Sequence, residues 1–257
     1  MKNLIKYFFS SVIIIGCLEL YGQVNTESLR KKEISDGVYT KITLNYGNIS
    51  GNSNFQNLKT GIRSDVVHGD FSAFLVMNLN RVKKEERLFI DKGFAHLRGM
   101  KKISPIFAGE VFIQKGYDDF IMLQSRDLAG GGLRLKLDDW FTSDKSVGNP
   151  SFFLGIGGMW ESEKLTIPYE DKTIIRSTNY FSAKYKQNNI GFTSTIYYQF
   201  DIWQLSDYRI LASGALEISI TKKIGFITEI QYRFDSEPPP DIVEYDLEIV
   251  NGITLNF

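Results

Sequence analysis

The residues from 243 to 257 alternate between apolar and polar side chains, and this pattern constrains the fold more than any other feature. The odd positions are mostly apolar, whereas the even positions include Glu244, Asp246 and Glu248. Successive side chains of a β-strand point to opposite faces, so the segment predicts one long strand with an apolar face and an acidic face. Such a strand is typical of a wall between lipid and a wet lumen. We expect the final aromatic residue, Phe257, to act as the signal for barrel insertion.

Composition narrows the class of protein. The 257 residues include 30 basic and 30 acidic side chains, so the formal net charge is zero. A neutral chain has no long-range attraction for polyphosphate, and we therefore expect no nucleic-acid partner. The chain has 19 Phe and 13 Tyr but only 6 Pro, a balance that favours β-structure.

The first 22 residues read as a secretory signal peptide. Lys2 and Lys6 precede an apolar run over 7–15, and Gly22 with Gln23 offers a cleavage site. The apolar run is too short for a transmembrane helix, and we find no longer one after it. We expect a short lead-in over 23–37 and a barrel over 38–257, since a membrane protein without such helices must span as a closed barrel.

The single cysteine, Cys17, lies inside this leader and has two interpretations. It follows Ile14, Ile15 and Gly16, which resembles a lipoprotein cleavage box and would make Cys17 a lipidated first residue. Alternatively, it is one more apolar leader residue. In that case the mature chain has no cysteine, and therefore no disulfide and no cysteine nucleophile or metal ligand.

Alternation along the rest of the chain predicts about twelve antiparallel strands separated by turn signals. We expect them near 38–48, 55–66, 71–79, 88–98, 106–117, 127–138, 152–161, 173–186, 192–202, 208–220, 224–234 and 243–257. A soluble β-sandwich or a lipocalin-like barrel also alternates, but its strands are nearer five or six residues long. Many strands here span about ten residues, as tilted membrane strands do, so we predict an all-β transmembrane barrel.

An even number of strands would place both termini in the periplasm. The short turns at 187–189 and 221–223 would then be periplasmic, and the longer segment 163–171 and the Pro-rich loop around 238–240 extracellular. The loop 139–150 would be periplasmic and is longer than this scheme favours.

Four motifs in 88–161 resemble a known family. They are Phe-Ala-His-Leu-Arg at 94–98, Gly-Glu-Val-Phe-Ile-Gln at 109–114, Arg-Asp-Leu-Ala-Gly-Gly-Gly-Leu-Arg at 126–134 and Gly-Ile-Gly-Gly-Met-Trp-Glu at 155–161. Their order resembles the YdiY-like salt-induced outer-membrane protein family, a domain of unknown function. The resemblance implies an outer-membrane barrel in a Gram-negative bacterium and a link to salt or osmotic stress. It implies no particular activity.

The polar face is the candidate functional surface. Its charged and polar side chains, which we expect to line the lumen, include Arg63, His96, Arg98, Glu110, Gln114, Arg134, Glu161, Glu217, Glu229, Arg233, Glu244 and Glu248. Two interpretations remain open. Opposite charges from neighbouring strands could pair and plug a structural barrel, or they could line a narrow channel that selects small solutes or ions. The strand register, which the sequence does not specify, decides which residues pair.

An enzyme is the alternative from another class. Outer-membrane lipid hydrolases use a Ser-His pair, and this chain offers only His68 and His96. His68 falls in a predicted periplasmic turn, and His96 in the lumen beside Arg98. We therefore predict no catalytic residues, no metal site and no cofactor. The expected partners are outer-membrane lipids and the barrel-insertion machinery.

Overall fold

The computed structural model describes residues 35–51, 54–85, 87–138, 150–166, 171–221, 223–239 and 241–255. These residues form one sheet of twelve antiparallel strands in the order of the chain. The strands are β1 Gly37–Ile49, β2 Phe55–His68, β3 Phe71–Lys84, β4 Arg87–Lys102, β5 Phe107–Asp118, β6 Leu123–Lys136, β7 Ser151–Leu165, β8 Lys172–Gln187, β9 Ile190–Asp201, β10 Tyr208–Ser219, β11 Ile224–Asp235 and β12 Tyr245–Leu255. A 3₁₀ turn, Asp119–Ile121, joins β5 to β6.

Each strand pairs with its sequence neighbours, so β1 and β12 stand at the two ends of the strand order. The register is continuous in most pairs, for example from Gly37 opposite Val67 to Ile49 opposite Phe55. It shifts between Val82 and Lys83 on β3, between Gly116 and Asp118 on β5, and again near Leu123 on β6. Bulges of this kind bend a strand and increase its local twist.

Every strand runs between the same two ends of the sheet. We call the end where β1 begins and β12 ends the near end, and the other end the far end. The β2–β3 turn at Gly69 and Asp70 lies at the near end, and Gly69 takes a positive φ of 55° there. Glycine adopts this left-handed backbone without steric cost, which suits a two-residue hairpin turn.

Alternating side chains give the sheet two chemically different faces. On β8, Arg176, Thr178 and Tyr180 are buried, whereas Ile175 before them and Phe181 after them are exposed on the other face. The buried face is polar and the exposed face is apolar, the reverse of a soluble β-protein. We call them the inner face and the outer face.

The prediction of about twelve antiparallel strands is confirmed. The boundaries differ in places. The sixth strand begins at Leu123 and not at 127, and the seventh continues to Leu165. The last strand begins at Tyr245, so Glu244 precedes it. Residues 1–22 with Cys17, most of the loop 139–150, and Phe257 lie outside the described residues.

Among the helical segments of the described chain, none has the length and apolar character needed to cross a membrane.

Candidate functional site

The sheet curls around its inner face, because side chains of strands that are not neighbours meet there. The Tyr180 hydroxyl on β8 donates to Glu110 Oε1 on β5 at 3.4 Å. Arg209 on β10 reaches Glu161 on β7, with Nη1 and Oε1 2.6 Å apart. The candidate site is this enclosed polar interior.

A network of buried ion pairs fills the far-end part of the interior. Glu161 is 1 % exposed and contacts three guanidinium groups, those of Arg126, Arg176 and Arg209. Its Oε1 lies 3.1 Å from Arg126 Nε, and its Oε2 accepts a hydrogen bond from Arg176 Nε. We call Arg126, Glu161, Glu163, Arg176, Asp207, Arg209 and Asp235 the Glu161 cluster.

Arg209 holds three carboxylates of this cluster together. Its Nη1 contacts Glu161, its Nη2 lies 2.9 Å from Glu163 Oε1, and its Nε donates to Asp235 Oδ2 at 2.7 Å. The planar guanidinium offers five N–H donors in a fixed fork, so it can bridge carboxylates from β7 and β11 at once. A lysine at this position could not reproduce that geometry.

The cluster continues into the far-end loops through Asp207, which precedes β10. Its Oδ1 lies 2.8 Å from Arg176 Nη1, and its Oδ2 accepts from Lys172 Nζ at 2.6 Å. Burial alone would raise the pKa of Asp207, but hydrogen bonding to Arg176 and Lys172 outweighs burial and lowers this pKa below the ordinary aspartate value. Lys172 Nζ also contacts Glu237 Oε2 at 2.9 Å, which links the cluster to solvent.

A second group of polar side chains lies midway along the interior. His96 is fully buried, with its ring 5.8 Å from the rings of both Phe74 and Phe112. Arg98 Nε approaches His96 Nε2 at 3.4 Å, and His96 Nδ1 lies 3.1 Å from Gln114 Oε1. Since arginine only donates, the contact with Arg98 uses Nε2 of His96 as an acceptor.

Arg98 extends this second group toward β8. Its Nη1 donates to Glu110 Oε2 at 2.8 Å, and its guanidinium lies 4.9 Å from the Phe112 ring centroid. We call His96, Arg98, Glu110, Gln114 and Tyr180 the His96 cluster. Ion pairing and ring stacking account for these contacts without a bound ligand.

Between the two clusters lies a cavity of about 40 Å³. Its lining includes His96, Gln114, Met159, Glu161, Gln199 and Arg209. A cavity of this size holds a few water molecules, and its polar walls can bind them.

The structure distributes the predicted lumen residues over several places. Arg98, Glu110, His96 and Gln114 belong to the His96 cluster, and Glu161 to the cluster named after it. Arg63 pairs with Asp65 at 2.5 Å, Arg233 pairs with Asp246, and the Arg134 guanidinium lies 3.7 Å from the Phe153 ring centroid. Glu229 and Glu248 are half-buried and Glu217 is exposed. Glu244 is exposed in the segment before β12, because β12 starts later than its alternation suggests.

Most of the Glu161 cluster is missing from the predicted set. Arg126, Glu163, Arg176, Asp207, Arg209 and Asp235 all make ion pairs there. Arg126 precedes the predicted start of the sixth strand, and Asp207 is a loop residue. The alternation within each strand could have identified some of these residues, because Arg176 and Arg209 lie on the same face of their strands as other polar residues.

The two histidines occupy different environments. His68 ends β2 at the near end and is exposed, with Nδ1 3.8 Å from Asp36 Oδ2. His96 is enclosed in its cluster. Among the described residues, no group of three or more His, Cys, Asp or Glu side chains could hold a metal ion.

Comparison with known proteins connects this architecture to a family. The family described as "Protein of unknown function, DUF481" matches residues 42–257, which include all of β2 to β12. No curated protein matches the chain. The matched region contains both clusters and the motifs that carry the YdiY-like resemblance. The chain therefore belongs to the DUF481 family of proteins of unknown function.

Proposed function

We propose that the protein is an outer-membrane β-barrel whose lumen is closed by buried ion pairs, and which serves the envelope as a non-conducting structural barrel. The observation that carries the proposal is the inverted sheet, with an apolar outer face and an interior filled by the Glu161 and His96 clusters. The family is of unknown function, and these two surfaces support the proposal.

The outer face has the chemistry of a lipid-facing wall. Large apolar side chains at least a third exposed occur on every strand from β1 to β12. Examples are Ile42, Ile62, Met77, Leu97, Val111, Ile113, Leu133, Ile156, Ile175, Phe181, Ile196, Leu216, Ile230, Leu247 and Ile249. Monomeric soluble proteins rarely expose contiguous apolar patches above a few hundred Å², so an apolar solvent is the fitting environment.

The height of this apolar band also fits a membrane. On β7 the outer-face residues run from Phe152 through Leu154, Ile156 and Gly158 to Trp160, and Ser162 follows. Eight steps of a strand span about 26 Å, close to the apolar band of roughly 25 Å in outer-membrane barrels. Ser162 accepts a hydrogen bond from Thr173 on β8, so polar contacts begin where the apolar band ends.

Spanning a bilayer requires that β1 and β12 pair with each other. An unpaired strand edge would leave backbone N–H and C=O groups in hydrocarbon, at a cost of several kcal/mol for each group. We therefore propose a closed barrel, with the near end in the periplasm because both the first and the last strand start or finish there.

Closure of the lumen follows from the energetics of the clusters. Conduction through the far end would separate Glu161 from three arginines, each less than a tenth exposed. Removing one partner of a buried ion pair typically costs about 3–5 kcal/mol. Spontaneous opening by this route is therefore rare, and the wild-type barrel is expected to be silent.

A role in salt or osmotic stress is part of the same proposal. Buried ion pairs are screened by salt much less than exposed pairs are, since counterions do not reach them. A barrel closed by the Glu161 cluster keeps its seal when external salt changes. An open channel of this size would instead pass the ions.

Single-channel recording from the refolded chain in planar bilayers tests the proposal. Folding is checked first by heat-modifiable mobility on gels, which closed barrels display. We expect a heat-modifiable protein without conductance steps, and an Arg209→Ala/Glu161→Ala variant that conducts. Discrete steps from the wild-type chain would show an open channel, and a folded chain that stays in the aqueous phase would remove the membrane proposal.

Location is tested separately, by membrane fractionation of the chain expressed in a Gram-negative host. We expect both the wild-type chain and the Cys17→Ser variant in the outer membrane. Loss of the variant from that membrane would favour the alternative of a lipid-anchored β-protein.

A further inference from the structure

The outer face carries a carboxamide in the middle of its apolar band. Asn179 on β8 pairs in the sheet with Ile156 on β7 and Tyr198 on β9, and both of these side chains are exposed on the outer face. Ile156 is the central residue of the apolar run from Phe152 to Trp160 on β7. In the proposed barrel Asn179 therefore lies near the mid-depth of the hydrocarbon, where polar side chains are costly and rare.

Part of the hydrogen-bonding capacity of Asn179 is unused. Its Nδ2 donates to Ser177 Oγ at 2.9 Å, and this hydroxyl in turn donates to the Gly157 carbonyl oxygen at 3.5 Å. A carboxamide has two N–H donors and one oxygen acceptor. The described residues supply no partner for the second N–H or for Oδ1. A neighbour within the membrane can therefore both accept from Asn179 and donate to it.

A second copy of the chain is the neighbour that this amide fits. A hydrocarbon chain offers neither a donor nor an acceptor, so lipid tails leave the amide unsatisfied. Two copies inserted in the same direction are related by an axis along the membrane normal, which keeps each residue at its own depth, and a two-fold interface brings the same surface of both copies together. Asn179 of one copy can then meet Asn179 of the other, and each amide can donate its second N–H to Oδ1 of the other.

The surface around the amide allows two sheets to approach closely. Gly131 and Gly158, which lie opposite each other on β6 and β7, present no side chain near it. Ile156 and Phe181, both more than a third exposed, provide apolar contact area beside it. Small residues that admit a neighbouring backbone, together with a hydrogen-bonding side chain, are the features by which chains associate within membranes.

We propose that the outer face of β7 and β8 around Asn179 is the interface of a homodimer, in which the two Asn179 carboxamides hydrogen-bond to each other across the two-fold axis. This dimer presupposes the proposed barrel, because the amide lies in hydrocarbon only when the sheet spans a membrane. In water the same amide would be solvated and would favour no partner.

Cross-linking in lipid vesicles tests the dimer with the full chain, in a Cys17→Ser background. Ile156 and Tyr198 lie on opposite sides of Asn179, so a two-fold axis at Asn179 brings Ile156 of one copy to Tyr198 of the other. Chains with Ile156→Cys are mixed with chains that carry Tyr198→Cys and a tag of different length, which leaves the amide in place in both. Mild oxidation at a low protein-to-lipid ratio, followed by gels without reductant, measures the rate at which the mixed dimer forms.

The matched control mixture replaces Ile156→Cys with Ile62→Cys. Ile62 is an exposed outer-face residue in the middle of β2, six strands from β8, and it therefore lies on the opposite side of a twelve-stranded barrel. We expect the Ile156→Cys mixture to cross-link at least about tenfold faster than the control, since a dimer raises the effective concentration of one thiol at the other.

Asn179→Leu keeps the approximate volume of the side chain but removes the amide, and it should lower the faster rate to that of the control. Equal rates in the two mixtures, or a fast rate that Asn179→Leu leaves unchanged, would overturn the dimer. In the membrane of expressing cells, a cross-linked species without the mass of two chains would assign the surface to a different protein and would also overturn it.

Sedimentation equilibrium in detergent and heat-modifiable mobility are measured on the wild-type chain and on Asn179→Leu. We expect the mass of two chains for the wild type and of one chain for the variant, with both heat-modifiable. A heat-modifiable wild-type barrel with the mass of one chain rejects the dimer alone, whereas a chain that forms no barrel rejects the proposed function.

Discussion

The far-end and near-end halves of the inner face use the same kinds of residue in different ways. At the far end, Arg176, Glu161 and Asp207 are each at most 1 % exposed, and Arg176 pairs with both carboxylates, one on a neighbouring strand and one in a loop. At the near end, Glu217 and Lys186 are exposed on the same face of their strands. The difference shows that burial and pairing go together on the inner face, since the most buried charges are those that meet an opposite charge.

The difference between the two ends is tested most directly at Glu161. Glu161→Ala takes from Arg126, Arg176 and Arg209 the buried carboxylate that all three contact, so we expect the free energy of unfolding to fall by about 3–5 kcal/mol. Urea titration of the refolded chain in detergent, followed by heat-modifiable mobility, measures the change. Glu217→Ala is the matched control at the near end and should cost less than about 0.5 kcal/mol. Equal losses at both positions would contradict the comparison.

Much of the sheet was predictable, because alternation at period two depends only on each residue and its neighbours. The ninth strand, with Tyr198 and Phe200 against Gln199 and Asp201, is an example. The Glu161 cluster was not predictable in the same way. Arg209 and Glu161 are 48 residues apart and lie three strands from each other, so their contact depends on register and curl. The alternation within each strand could have placed both residues on the inner face, but it could not have shown that they contact each other.

The packing of the inner face can be tested at a glycine. A Cβ added to Gly155 on β7 would lie 1.9 Å from the Tyr180 ring, whereas one added to Gly158 on the outer face meets nothing closer than 3.7 Å. Overpacking a filled interior typically costs about 1–3 kcal/mol, so we expect Gly155→Ala to lose that much stability. Gly158→Ala should change it by less than about 0.5 kcal/mol. Urea midpoints of the two variants measure the difference, and tolerance of Gly155→Ala would mean a looser interior.

The acid sensitivity of the far end provides a third test, at Asp207. Its pKa is lowered in the folded protein, so its stabilising contribution is complete above the ordinary aspartate pKa and is lost as the pH falls through the lowered folded value. We expect the contribution of Asp207 to the unfolding midpoint to be constant above about pH 5 and to decline below about pH 4. In Asp207→Asn the unfolding midpoint above about pH 5 should be lower than in the wild type, and the share of the acid decline that Asp207 causes should disappear. If the midpoint of the variant declined in acid as steeply as that of the wild type, other carboxylates would be responsible for the decline.

The smallest expected effect concerns an ion pair on the outer face, and it separates burial from mere proximity. Lys115 Nζ lies 3.0 Å from Asp127 Oδ1, a distance similar to those inside the Glu161 cluster, but the Lys115 side chain is 72 % exposed. Exposed pairs contribute about 0–1 kcal/mol and weaken with salt, so Lys115→Met should change the free energy of unfolding by less than about 0.5 kcal/mol. Raising the salt concentration should remove that small difference, whereas the loss of unfolding free energy caused by Glu161→Ala should stay nearly unchanged. If salt instead reduced the effects of Lys115→Met and Glu161→Ala on the free energy of unfolding in the same proportion, solvent ions would be reaching the Glu161 cluster. The cluster could then not be the seal of the lumen.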